Sequence, residues 1–156
     1  MIYVFDTSSI VVMNNYYPDI FPSFWSRIDQ LAADGTVTST REVMKELSRY
    51  NDRPHSLEWA KRNSAIFRTP DANETTFVAR IFAVPHFKQV ISEKARLKGT
   101  PVADPFVIAA AQARNGKVVT EEVMRKNAAK IPNICEHFEI ACIDLATFLN
   151  EQGWTF

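Results

Sequence analysis

Four acids stand where a strand should end or a helix begin, and together they carry the residue types for metal-ion chemistry. Asp6 ends the apolar run Ile2-Tyr3-Val4-Phe5, and Glu46 sits in Val43-Met44-Lys45-Glu46-Leu47. Asp104 precedes Pro105 and a stretch that is nearly apolar from Phe106 to Ala111, and Glu122 follows Val118-Val119-Thr120-Glu121. No His or Cys adjoins these positions, so the ligand set they would form is oxygen-only. Such sets suit hard divalent cations, Mg²⁺ or Mn²⁺, which take a few carboxylates and keep several waters. A cation held this way activates water and neutralises charge developing on a phosphoryl group. The chemistry indicated is metal-dependent attack on a phosphoryl or phosphodiester group. A lone ionised Asp6 behind a buried run would be costly without a partner, which favours a joint role.

Each acid also has an ordinary structural reading. Asp104 works as an N-cap, worth about 1 kcal/mol, Glu46 as a solvated helix residue, and Glu122 as a surface residue after a strand. Glu121 rivals Glu122, and Glu42 lies one turn before Glu46 on the same helix face. Cations for phosphate contact lie nearby. Arg41, Lys45 and Arg49 recur every four residues as a basic stripe, and Lys88, Lys94, Arg96 and Lys98 load the segment ahead of Asp104. Either group also reads as a solvated helix face. Tyr16, Tyr17, Trp25 and Trp59 have rings that could stack on bases, although aromatic residues at helical spacing equally build a core.

The elements that must position these groups follow from periodicity and punctuation. Residues 2–5 predict a strand buried on both faces. Asp6-Thr7-Ser8-Ser9 is N-cap chemistry, with Ile10, Met13 and Tyr17 then at helical spacing. A helix over 22–33 opens on Pro22 and presents Phe24, Ile28 and Leu31 on one face. A strand over 36–38 leads to Thr40, which caps a helix running to Tyr50 and burying Val43, Leu47 and Tyr50. Helix is expected over 55–63, a strand near 66–68, helix over 74–84 and again up to Gly99. Asp104-Pro105 opens a central buried helix closed by Asn115-Gly116; strands follow at 117–120 and 141–145, and a last helix over 145–152 stops at Gly153. Strands separated by helices mean a layered α/β domain with a mostly parallel sheet, expected to be a single domain over 1–156 with no internal linker.

Composition bounds the function classes. The 156 residues include 46% apolar and 23% charged, and 18 basic residues balance 18 acidic ones. Zero formal charge excludes wholesale polyelectrolyte binding but leaves room for a local basic stripe. Cys135, Cys142 and three His supply no structural zinc set, and both cysteines read as buried free thiols. The N-terminus reads as a first strand and not as a signal peptide, so a cytoplasmic setting is expected.

The motifs also resemble a known family, the PIN-domain ribonucleases. Ile2 to Ile10, with an acid ending the strand before Thr7 and Ser8, is similar to their opening motif. Val43 to Leu47 resembles the second, Ala103 to Ala111 the third and Val118 to Glu122 the fourth, in the same order along nearly the whole chain. The resemblance implies a PIN-like three-layer α/β/α sandwich and Mg²⁺- or Mn²⁺-dependent cleavage of RNA, often as the toxin of a toxin–antitoxin pair. It implies Asp6, Glu46, Asp104 and Glu122 as metal-site acids and Ser8 and Thr120 as hydroxyls that orient them. An antitoxin and a second copy of the chain are the partners the resemblance implies, and the basic stripe of Arg41, Lys45 and Arg49, read from its spacing, is the candidate RNA contact. The fourth acid is Glu where the family more often has Asp, and no further acid follows, since Val123 to Lys126 come next. Two alternatives stand beside this reading. One is a non-catalytic PIN-like interaction module. The other is a haloacid-dehalogenase-like phosphatase, which wants a second Asp where Ser8 stands.

Overall fold

The computed structural model describes residues 1–156. Its strands are β1 (Tyr3–Phe5), β2 (Val37–Thr40), β3 (Phe67–Arg68), β4 (Lys117–Val119) and β5 (Cys142–Ile143). Its helices are α1 (Thr7–Met13), α2 (Pro22–Ala33), α3 (Arg41–Leu47), α4 (Pro54–Arg62), α5 (Ala72–Phe82), α6 (Pro85–Lys98), α7 (Asp104–Ala113), α8 (Ile131–His137) and α9 (Leu145–Glu151). The strands form one all-parallel sheet in the order β3-β2-β1-β4-β5, with Tyr3 opposite both Val37 and Lys117. Parallel pairing requires crossovers, and the helices that make them cover the sheet as the outer layers of an α/β/α sandwich. No helix is long and apolar enough to cross a membrane.

β1 is the centre of the core: Val4 and Phe5 are fully buried, as the unbroken apolar run requires. Phe148 of α9 meets Tyr3 and Phe5 edge-on at 4.9 and 5.0 Å, and Trp154 carries this aromatic layer on to Phe24 of α2. α7, with Val107, Ile108, Ala109 and Ala111 all at zero exposure, packs against β1, β2 and β4. Its alanines allow close approach of helix to sheet. Gly116 is needed just before β4, because a Cβ there would lie 2.6 Å from the carbonyl oxygen of Ile2.

The sheet order reverses direction between β1 and β4. Beyond the carboxyl ends of strands at such a switch point, the crossing helices diverge and leave a crevice. Asp6 directly follows β1 and Glu122 lies three residues past β4, so the topology delivers both to that crevice.

Several expectations are corrected. α3 stops at Leu47, so Tyr50 lies past the helix and is exposed, not buried. Tyr17 likewise lies beyond α1 and is exposed. Trp59 and Trp25 are core residues and cannot stack on a base. Cys135 is buried as expected but Cys142 only partly so, and both thiols are free. α8 was not apparent in the sequence, and α5 starts two residues early because Asp71 and Glu74 form a reciprocal capping box.

Candidate active site at the carboxyl edge of the sheet

Asp6 occupies the N-cap position of α1, yet its side chain caps nothing. Its Oδ2 instead accepts hydrogen bonds from Ser8 Oγ at 2.7 Å and Thr120 Oγ1 at 2.9 Å. Each hydroxyl has one proton, spent on Asp6, and each accepts a backbone N–H in return: Glu121 N–H to Ser8 and Glu122 N–H to Thr120. Each hydroxyl is therefore held from both sides, and Asp6 is fixed at the end of β1. Burial pushes the Asp6 carboxyl up to about 6; the Glu122 charge adds to this, against the lowering effect of the hydroxyl bonds.

Asp104 is not an N-cap. α7 begins at Asp104 itself, Ala103 occupies the cap position, and no capping bond is made. Its carboxylate accepts no hydrogen bond, and its cation neighbour is Lys94, with Nζ 3.7 Å from Oδ2. Burial raises its pKa to about 8, and the charges of Glu122, Asp6 and Glu46 push in the same direction while Lys94 opposes them. Asp104 thus feels the charges of Glu122, Asp6 and Glu46, which come from three other stretches of chain.

Glu46 projects from α3 to the same edge. Thr7 Oγ1 donates to its Oε2 at 2.9 Å, while the Ala103 N–H and Lys98 Nζ reach its Oε1 at 2.9 and 2.8 Å. Glu122 Oε2 accepts from the Ile131 N–H at 3.1 Å, which ties it to the start of α8. A cleft of about 400 Å³ is lined by Glu46, Asp104 and Glu122 with Lys94, Leu97 and Lys98. Asp6 does not line this cleft and is buried, 4% exposed. Glu121 turns away, its Oε1 accepting the Leu145 N–H at the start of α9. Glu42 does not line this cleft but borders a neighbouring recess with Glu46. Its Oε1 pairs with Arg41 at 3.0 Å, and its Oε2 is buried without a partner.

The basic stripe is only partly directed at this edge. Arg41 is engaged with Glu42, and Arg49 Nη2 donates to Thr100 Oγ1 at 2.8 Å. Lys45 and Arg49 line a neighbouring recess of about 290 Å³ that also touches Glu46. The cations nearest the acids are Lys94 and Lys98 of α6, which sequence reasoning noted only as part of a charged segment. Thr7 was passed over as well; its place immediately after Asp6 was the available signal.

The donor chemistry fits a hard divalent cation: carboxylate oxygens alone, two of them on buried acids whose ionised forms are held in mutual repulsion. As the side chains stand, no three carboxylate, thiol or imidazole groups are gathered at ligand distances. Lys98 and Lys94 stand against two of the acids instead. Ser8, where a dehalogenase-like phosphatase has its second acid, is a hydroxyl committed to Asp6.

Solved structures share the arrangement of elements. PAE2754 from Pyrobaculum aerophilum is similar with a TM-score of 0.53 and 12% identity, over 97% of this chain and 96% of that one. DNA-bound VapBC from Salmonella typhimurium is similar with a TM-score of 0.52 and 16% identity, over 92% of this chain and 98% of that one. At these identities the likeness is one of fold, and that fold is the PIN-like three-layer α/β/α sandwich. No curated protein matches the sequence. A family profile does match it from residue 3 to residue 156, and the chain belongs to that family, described as Domain of unknown function (DUF4411).

Proposed function

We propose that this protein is a Mg²⁺- or Mn²⁺-dependent endoribonuclease, acting as the toxin of a toxin–antitoxin pair, with its active site in the carboxylate cleft. The observation that carries the reading is that Glu46, Asp104 and Glu122 line one cleft, with Asp104 also under the influence of the charge on Asp6. Burying acids together is unfavourable, and a fold that keeps them together without internal cations enough to balance them is suited to an external one. The PIN-like fold and the four sequence motifs support the same reading.

In this proposal Asp6, Asp104, Glu122 and Glu46 hold the cation. When bound, Mg²⁺ or Mn²⁺ supplies Lewis-acid stabilisation of phosphoryl charge and lowers the pKa of a water. Ser8 and Thr120 aim Asp6 through its Oδ2, and Thr7 fixes the rotamer of Glu46 through Oε2. The open cleft leaves room for a phosphodiester between Glu122 and α6, and Lys45 and Arg49 extend the contact surface along α3. The partners proposed are RNA as substrate, an antitoxin protein and a second copy of this chain. The fold shared with a VapBC supports the antitoxin.

The test is cleavage of a labelled RNA in Mn²⁺ by the wild type, Asp6→Asn and Asp104→Asn, with circular dichroism as the fold control. Wild-type cutting that both substitutions abolish, together with a Mn²⁺-dependent rise in the wild-type melting temperature, is expected. Near-wild-type cutting by both variants removes the assignment. A folded protein with no Mn²⁺ response leaves the interaction module as the better description.

A further inference from the structure

Lys94 and Lys98 are the cations that face the acid cleft, and their placement is specific. They lie four residues apart, on one face of α6, and each reaches a different acid across the cleft: Lys98 Nζ meets Glu46 Oε1 at 2.8 Å and Lys94 Nζ stands 3.7 Å from Asp104 Oδ2. The other basic residues of α6 are placed differently. Lys88 and Arg96 border a separate recess on that helix, and Arg96 Nη2 lies 3.7 Å from Glu93 Oε1. Both lysine side chains remain about one-third exposed, and both line the cleft. Glu46 is already held without Lys98, because Thr7 and the Ala103 N–H each donate to it. The Lys98 pairing is therefore not needed to position Glu46; both lysines place positive charge where the carboxylates would otherwise repel.

Resting on the nuclease reading above, we propose that Lys94 and Lys98 exchange partners during the reaction. In the free protein they neutralise Glu46 and Asp104. Once a divalent cation occupies the acids, the two ammonium groups turn to the substrate and bind its backbone phosphate. The physical basis is charge balance. A divalent cation on the carboxylates removes the attraction that draws the lysines in, and a phosphate brought to the cleft mouth supplies a new one. Lysine suits this role: its ammonium is a compact point charge with three donors on a flexible four-carbon stem, able to serve two anions a few ångströms apart. The lysines thereby act as competitors of the cation in one state and phosphate-binding residues in the next.

Lys94→Met/Lys98→Met keeps the apolar stems and removes both charges. Mn²⁺ binding is read by titration calorimetry, with Lys88→Met as a control on the same helix. Binding of a cleavage-resistant RNA (2′-O-methylated, phosphorothioate-linked) is read by fluorescence anisotropy with Mn²⁺ and with EDTA. The double variant is expected to bind Mn²⁺ roughly tenfold more tightly than the wild type. It is also expected to bind RNA at least about tenfold more weakly in Mn²⁺, with a salt slope smaller by about 1.4, the value for two lost phosphate contacts on a single strand. In EDTA its RNA defect should be clearly smaller than in Mn²⁺, because there the wild-type lysines are held by the acids. A gain in metal affinity is a change that simple loss of packing does not produce. Unchanged Mn²⁺ affinity, or an equal RNA defect with and without Mn²⁺, overturns the exchange while leaving the nuclease reading intact. A wild type that binds neither Mn²⁺ nor RNA removes both.

Discussion

Glu74 and Asp104 are both buried acids near helix starts, and they are treated in opposite ways. Glu74, 4% exposed, is fully engaged: Oε2 accepts the Asp71 N–H at 2.7 Å, its own N–H reaches Asp71 Oδ1, and Oε1 pairs with Arg114 of the segment after α7. Asp104, 8% exposed, accepts no hydrogen bond, shares its cleft with Glu46 and Glu122, and is pushed up to about 8. One carboxylate is satisfied by the fold and fastens α5 to α7. The other has only Lys94, 3.7 Å away, set against the charges of the acids around it. A buried acid with every oxygen engaged belongs to stability, whereas one held open at a crevice is available to a ligand.

The largest effect that would sharpen this contrast is in catalysis. Asp104→Asn should lower RNA cleavage by about 10³-fold or more with the fold retained, whereas Glu74→Gln should leave the specific activity of the folded fraction near wild type in the same assay. The next is in stability. Arg114→Met strands Glu74 as a buried charge and should cost about 3 kcal/mol in urea unfolding; a loss under about 0.5 kcal/mol would erase the distinction.

The third is the pH dependence of the cation-free protein. The folded pKa values of Asp6 and Asp104, about 6 and about 8, lie above the unfolded carboxylate value of about 4. The folded state therefore holds more protons than the unfolded state through that window. Its stability should fall as pH rises from about 4, with the loss complete above about 8. At pH 8, Asp104→Asn should raise the melting temperature in EDTA by roughly 2–8 °C, for a gain of about 1–2 kcal/mol. A lower melting temperature would show that its charge is already balanced. The smallest effect concerns the hydroxyls. Ser8→Ala or Thr120→Val should weaken Mn²⁺ binding by about tenfold through loss of the bond that aims Asp6, as read by calorimetry.

Much of the fold was legible because its signals are local. The apolar run before Asp6, Pro22 at a helix start, and the Ala-rich stretch after Pro105 each restrict one element to one conformation, and β1, α2 and α7 form there. Errors arose where a boundary depended on neighbours. α3 could have continued to Tyr50 on periodicity, yet its last turn ends at Ser48 with the chain turning toward Pro54. α8 has no strong cap, and its first N–H is satisfied by Glu122, an acid nine residues away in the chain. The choice between Glu121 and Glu122 was equally hidden, because it depends on which helix start each carboxylate meets.

The sequence by itself determined which acids sit at strand ends and helix starts, since short-range patterning places Asp6 after β1 and Asp104 before an apolar helix. Only the tertiary structure decided that Glu46, Asp104 and Glu122 line one cleft, that Ser8 and Thr120 share a single oxygen of Asp6, and that two lysines of α6 lean over the acids. Periodicity reports which residues lie on one face of one element. Electrostatic coupling is set by distances of a few ångströms between elements, and the crossovers of a parallel sheet fix those distances only when the layers pack.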